Sequence, residues 1–398
     1  MAFIYLTKLR SDTPADANQT LNMANAFAAN AEITYFSHWM SSKETKKVFD
    51  FYALNRQFHL VRLPITLITS SLLLEKITRG LYCLFILIYI RLFKYDIVYT
   101  RDFSFVYFLS MLPAFLRPKQ QIVFEPHNML HQVSTKISLE QERQGMDVAD
   151  IYVPTTEGAK EDLLNVFGVD SKRLLVQPNA VNLKNFLNVE RDEEWFYSRY
   201  PLLKNSKIIV YTGTFIEWKG VEVLVQATKF LALGNAKVLL IGGIGVYKEK
   251  IEKLVKAEGF EGKVVVEGFL SQGDLVKALT MADIAVIPNN RMPEGIKYTS
   301  PLKTYEYMAM GLPIVASDLY AIRQLLKENE NCVFFEAESV SDLADKLNLL
   351  LKNEDLQRSI SENNVELAKH YSWEQRGENI LEFIESSSKL KAKWRSSL

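Results

Sequence analysis

The stretch Lys207-Ile208-Ile209-Val210-Tyr211-Thr212-Gly213-Thr214-Phe215-Ile216-Glu217-Trp218-Lys219-Gly220, or KIIVYTGTFIEWKG, carries most of the information about the fold. Its first half is apolar without alternation, the pattern of a strand covered on both faces in a parallel sheet. Gly213 ends that run, a short loop follows, and Lys219-Gly220 leads into VEVLVQA (221–227), which reads as a helix. A lysine and a glycine at a helix start, just past a strand end, make an anion site from backbone N–H groups and one cation. Taken alone, Lys219 reads more readily as a surface lysine.

The same unit recurs outward from this stretch. Downstream come KVLLIGG (237–243), a helix near 247–258, KVVVEG (263–268), a helix at 273–280, DIAVIPN (283–289), a further helix, and PIVASD (313–318). Upstream, FIYLT (3–7), a helix at 18–29, ITYFS (33–37), a long helical region near 66–93, DIVYT (96–100), a helix over 104–115, QIVFE (121–125) and IYVPT (151–155) repeat the pattern less cleanly. Two such arrays in series predict two doubly wound α/β domains with parallel sheets. Strand signals stop within 178–203, where the join is expected. The predicted division is 1–190, 191–372 and a closing helical segment, 373–398, packing back towards the first domain.

A chain of 398 residues suits two domains. With 48% hydrophobic and 24% charged residues the balance is globular, and 47 basic against 47 acidic residues argues against nucleic acid as a partner. Two distant cysteines, Cys83 and Cys332, offer neither a disulfide framework nor metal-ligand spacing, which fits a reducing cytosol. The start lacks the basic and long apolar segments of a signal peptide. The longest apolar run, LYCLFILIYI (81–90), is too short to cross a bilayer. It reads as a buried helix or as a face resting on a membrane. The tail SSSKLKAKWRSSL sets Lys389, Lys391, Lys393 and Arg395 around Leu390 and Trp394. Either contact with an anionic membrane or a solvated terminus accounts for it.

Ligands of parallel sheets gather beyond the carboxyl ends of the strands. On that rim Gly242-Gly243-Ile244-Gly245 is a weak dinucleotide fingerprint but a fair place for backbone to approach a ligand. Gly268-Phe269-Leu270 reads as a plain turn or as a seat for a flat base. In SPLKTYEYMAMGLP (300–313), Ser300 is expected to cap a helix with Pro301 at its first position. Lys303 is then misplaced, because the positive end of the helix dipole disfavours a cation. A phosphate at the helix mouth resolves that, and Glu306 on the same face can accept hydrogen bonds from a ribose diol. In the first half, Glu125-Pro126-His127-Asn128 follows a strand, as do Arg101-Asp102 after DIVYT and Asn179 after Gln-Pro. His127 is well placed for a substrate hydroxyl, although a lone histidine is more often structural.

The order Gly213…Lys219-Gly220, Gly242-Gly243, SPLKTYEYMAMGLPIVASD resembles the retaining glycosyltransferases of family 4, which have the GT-B fold of two Rossmann-like domains facing across a cleft. KRLLVQPNAVNLKNF (172–186), EPHN (125–128) and YSWEQRGENIL (371–381) extend the resemblance over most of the chain. It implies a cytosolic enzyme, peripheral to a membrane if bound to one, that moves a hexose from a UDP- or GDP-sugar to a carbohydrate or lipid-linked acceptor. Retention, no metal and no other cofactor are implied with it. The apolar run 81–90 and the basic tail would suit a lipid-linked acceptor, as in surface polysaccharide or glycolipid assembly.

By that resemblance His127, Lys219 and Glu306 are catalytic. Thr214, Gly243, Gly268, Phe269, Leu270, Glu294, Tyr298, Ser300, Leu302 and Lys303 hold the donor, and Arg101, Asn128 and Asn179 lie on the acceptor side. The chain departs from the family at Tyr298, where a second glutamate is usual eight residues before Glu306. Glu294 can substitute only if its loop folds inward. It departs again at Thr214, where arginine is common, and in the first loop, LTKLRSDTPADANQT, which lacks the usual glycine pair. Two rival readings follow: a nucleotide-sugar-binding subunit without catalysis, and an epimerase of the same fold.

Overall fold

The computed structural model describes residues 1–5, 15–63 and 72–395, with side chains described in 1–5, 16–63 and 74–387. Most of the first loop (6–14) lies outside the described residues, and so do the side chains of Lys389, Lys391, Lys393 and Arg395. The chain forms two compact units, one from residues 1–50, 54–178 and 373–398, the other from 51–53 and 179–372. The change of unit thus falls after Pro178, at the near edge of the turn-prone 178–203 stretch, and the closing helix Trp373–Arg395 belongs to the first unit.

The first unit contains β1 (Ala2–Ile4), β2 (Thr34–Ser37), β3 (His59–Arg62), β4 (Ile97–Thr100), β5 (Gln121–Phe124) and β6 (Ile151–Tyr152), in the order β3-β2-β1-β4-β5-β6. The second contains β7 (Lys207–Thr212), β8 (Ala236–Ile241), β9 (Val264–Glu267), β10 (Ile284–Ile287), β11 (Ile314–Ser317) and β12 (Cys332–Phe335), in the order β12-β11-β10-β7-β8-β9. Every pairing is parallel. Both sheets therefore have one topology, reversing direction beside their first strand, between β1 and β4 and between β7 and β10. Such a reversal opens a crevice at the carboxyl ends of the strands.

The strands are buried because the sequence gives them no polar face. Ile208 to Thr212 of β7 and all four residues of β10 and of β11 are buried, with helices on both sides. Ile208, Val210, Leu239 and Ile287 face one apolar cluster, while Ile209, Leu240 and Val286 face the other.

Several expected elements are shorter than their apolar runs. The strand IYVPT is reduced to Ile151–Tyr152, as Pro154 has no N–H to pair. The helix expected over 104–115 ends at Ser110, before Pro113. The apolar run 81–90 lies in the helix Leu72–Leu92 and is divided between two environments. Tyr82, Cys83, Ile86, Leu87 and Ile90 are buried, whereas Leu74, Ile77, Leu81, Leu84, Ile88 and Leu92 form a stripe with exposures between 40 and 74%.

Candidate active site

In the second unit β7 and β10 pair only through Ile209 with Ile284 and Val210 with Ala285. Beyond that, the N–H of Thr212 donates to the hydroxyl of Tyr307 at 2.7 Å, which ties the helix Leu302–Ala309 to the end of β7. The loops leaving the two strands lock together at Gly220. Its φ is +62°, and a Cβ there would lie 1.9 Å from the carbonyl oxygen of Pro288, so only glycine fits. Asn290 closes the contact: its N–H donates to the carbonyl of Trp218 at 2.8 Å and its Nδ2 to that of Glu217 at 3.0 Å. This glycine fixes the Lys219 turn against the end of β10.

Lys303 and Glu306 share one face of the helix and are both buried. The Nζ of Lys303 lies 3.6 Å from the ring centroid of Tyr211, above Gly213, and has no hydrogen-bond partner. Burial, and secondarily the charge of Lys219, hold its pKa well below the ordinary lysine value, while Glu306 opposes the shift. Burial pushes the Glu306 carboxyl up to about 7, against the pull of Lys303. A buried lysine nitrogen within electrostatic range of a second lysine and short of an acceptor can receive an anion. Further unpartnered buried atoms occur on these loops and in the first turn of the helix: Thr214 Oγ1, both side-chain polar atoms of Asn289, and Thr304 Oγ1.

Ser300 does not cap this helix. Pro301 occupies the N-cap position, with no side-chain cap, and Leu302 is the first helical residue. The Ser300 hydroxyl instead accepts from the N–H of Asn179 at 3.0 Å and pairs with the Tyr305 hydroxyl at 2.8 Å, while Asn179 Nδ2 donates to the Ser300 carbonyl at 2.6 Å. The helix mouth is left without the expected serine cap. Asn179, expected on the acceptor side, belongs to the second unit and clamps this segment.

Gly242, at φ +112°, and Gly243 each donate an N–H to the Glu267 carbonyl, at 3.3 and 3.1 Å, and Gly243 lies against the Phe215 ring. In the third loop the Gly268 N–H goes to the Glu267 carboxylate at 2.7 Å, and its carbonyl accepts from Gly242 at 3.0 Å. Leu270 is in the core and Phe269 is half-buried. Glu294 opens a single π-helical turn, Glu294–Tyr298, that packs against Glu217–Lys219, and Tyr298 is buried.

The first unit collects another group at the ends of β4 and β5. Glu125, wholly buried, accepts from Gln19 Nε2 at 3.2 Å and from the hydroxyl of Tyr99. It contacts His127 Nε2 at 3.0 Å, Arg376 Nη2 at 3.0 Å and Arg101 Nε at 3.5 Å. Arg376 comes from the closing helix and also donates to the carbonyls of Pro178 and Gln177, at 2.8 and 3.1 Å. Burial alone would raise the Glu125 carboxyl, but Arg376, His127 and Arg101 outweigh it and keep the group ionised. Burial and the Arg101 charge lower His127, which favours the neutral ring. The Glu125 carboxylate, which can only accept, lies 3.0 Å from Nε2 and assigns the proton there, although the Gln19 amide stands 3.3 Å from the same nitrogen. That tautomer makes Nδ1 the acceptor. Asn128 is half-buried beside it.

Sequence reasoning singled out His127 and Arg101 but not Gln19, Tyr99, Glu125 or Arg376, which hold them, nor Asn289. Glu125 stood within the EPHN motif. The signal for Arg376 was only its place in the 371–381 phrase.

The model of the glycosyl transferases group 1 family matches residues 194–394, half of the chain, and that of glycosyltransferase family 4 matches residues 17–185. The chain belongs to the group 1 glycosyltransferases. Among curated glycosyltransferases, an uncharacterised one of Methanocaldococcus jannaschii is 27% identical over 56% of this chain and 56% of its own length. The alpha-D-kanosaminyltransferase of Streptomyces kanamyceticus is 24% identical over 64% and 65%. A D-inositol 3-phosphate glycosyltransferase of Xylanimonas cellulosilytica is 24% identical over 62% and 60%. The chain thus spans 56 to 65% of the length of these relatives. Among solved structures, sucrose-phosphate synthase of Thermosynechococcus elongatus superposes with a TM-score of 0.76 at 18% identity over 100% of both chains. Anabaena HepE in complex with UDP-glucose gives 0.75 at 14% identity, over 97% of this chain and 100% of that one. Such structural likenesses identify the GT-B fold. Among the described residues no helix is long and apolar enough to cross a membrane, and no group of three His, Cys, Asp or Glu side chains could hold a metal.

Proposed function

We propose that this glycosyltransferase moves a hexose from a nucleotide diphosphate sugar to an acceptor hydroxyl with retention, without a metal. The observation that carries the reading is Lys303, a buried amine with no acceptor at an uncapped helix mouth, within electrostatic range of Lys219. A diphosphate there would meet two cations and the first helical N–H groups. Glu306 would accept from the ribose hydroxyls. As the bond from the sugar C1 to the phosphate oxygen breaks, these charges stabilise the departing diphosphate. The acceptor oxygen bonds to C1 on the same face, and its proton goes to the leaving phosphate. His127, neutral and oriented by Glu125, would hold a substrate hydroxyl through Nδ1.

Lys219→Ala and Glu306→Ala should each cut transfer from the sugar nucleotide at least about tenfold, the worth of one charged hydrogen bond at roughly 1.5–3 kcal/mol. Full turnover in both variants would sink the donor site.

The acceptor reading includes a membrane. The exposed stripe from Leu74 to Leu92 continues to Phe93, and Arg91 at its end donates to the Leu116 carbonyl beside exposed Met111 and Phe115. With Arg91 and Lys94 exposed at this end, the face suits an anionic bilayer surface carrying a lipid-linked acceptor. Ile88→Asp should weaken sedimentation with phosphatidylglycerol vesicles several-fold. Equal sedimentation of both proteins would remove the membrane from the account.

A further inference from the structure

Arg101 follows β4 directly, and its side chain is 6% exposed. Its Nε and Nη1 are buried and have no hydrogen-bond partner. Nε approaches Glu125 Oε1 only to 3.5 Å, and Nη2 stands 4.0 Å from Asp16 Oδ1, whose side chain is 65% exposed. Glu125 is already engaged by Arg376, Tyr99, Gln19 and His127. Among the described residues, then, two buried guanidiniums share one buried carboxylate, next to a neutral histidine, and Asp16 on the rim is too solvated to balance the second. A guanidinium offers five donors in a fixed fork, and leaving them dry and unpaired is costly. The fork matches a phosphate or carboxylate. Nη2 lies toward the exposed Asp16 side chain, so an anion arriving from that side takes the place of a weak 4.0 Å contact.

We propose that Arg101 binds an anionic group, a phosphate or a carboxylate, on the acceptor, and that the enzyme selects charged acceptors by this contact. The proposal rests on the reading of His127 and Arg101 as the acceptor side. The anion lies beside the imidazole, and the acceptor hydroxyl projects from it toward Nδ1.

Inorganic phosphate is the first probe, added to the full chain at constant ionic strength while the melting temperature is followed. A ligand that binds the native state raises it by mass action. Two sites should contribute. Arg101→Gln loses the part that Lys303→Ala keeps, and the double variant loses both. Arg101→Lys retains most of its part, which separates loss of charge from loss of fold. If Arg101→Gln responds as wild type does, the acceptor anion site is wrong and the donor site stands. If Lys303→Ala alone responds as wild type does, the diphosphate site is wrong and Arg101 stands.

The second probe is donor consumption with glucose, glucose 6-phosphate or glucuronate as acceptor. Wild type should favour an anionic acceptor by tenfold or more in kcat/KM, and Arg101→Gln should reduce that preference to about threefold or less. Preference for glucose 6-phosphate assigns a phosphate and preference for glucuronate a carboxylate. Preference for glucose, or a preference unchanged in Arg101→Gln, overturns the proposal.

Discussion

Glu125 in the first unit and Lys303 in the second are both buried charged residues at the carboxyl end of a parallel sheet, and the two sheets share one strand order. Their surroundings differ. Glu125 receives a guanidinium from Arg376, a hydroxyl from Tyr99, an amide from Gln19 and the ring of His127, all from the protein. Lys303 has an aromatic face, a second lysine that repels it and one nearby carboxylate, and no hydrogen-bond acceptor. The first charge is resolved within the fold and serves to hold a histidine. The second has no such partners, and in the proposed function the donor diphosphate supplies them. Burial by itself does not tell a structural ion from a functional one; the completeness of its hydrogen bonding does.

Urea melts of two variants put this contrast at risk. Glu125→Ala strands Arg376 and Arg101 without their carboxylate and should cost about 3–5 kcal/mol, the usual penalty for breaking a buried pair. Lys303→Met removes an unpartnered buried amine at similar volume, so stability should stay level or rise by about 1 kcal/mol while transfer collapses. A Lys303→Met protein as destabilised as Glu125→Ala would make both lysine and glutamate structural.

Much of this was legible in the sequence where one residue decides its own surroundings. Non-alternating runs such as KIIVY and KVLLI gave strands within a residue or two of β7 and β8, since such runs need cover on both faces. Lys303 was conspicuous because a cation at a helix mouth runs against the dipole. Two of the four edge strands were not legible: HLVR of β3 and CVFF of β12 lack a preceding helical pattern clear enough to frame them, whereas β6 and β9 were read from their apolar runs. The Ser300 cap was misread because capping is a competition, and Asn179 and Tyr305 take the hydroxyl first. Arg376 was invisible as a partner of Glu125 because 251 positions separate them (376 − 125), and only the folded closing helix, packed on Ala15–Ala28, brings them together.

The central claim is that the Lys303 charge is incomplete until a diphosphate arrives. Calorimetry of UDP, GDP and ADP binding at pH 8, in buffers of different ionisation enthalpy, measures the protons exchanged. The free protein holds the Lys303 pKa well below its ordinary value, and a diphosphate beside it favours the charged form, so binding should take up protons. The carboxyl of Glu306, at about 7, is mostly ionised at that pH and stays so when it accepts from ribose hydroxyls. The account predicts net proton uptake with the nucleotide that binds, abolished in Lys303→Met. Proton release, no exchange, or an uptake that survives Lys303→Met would contradict it.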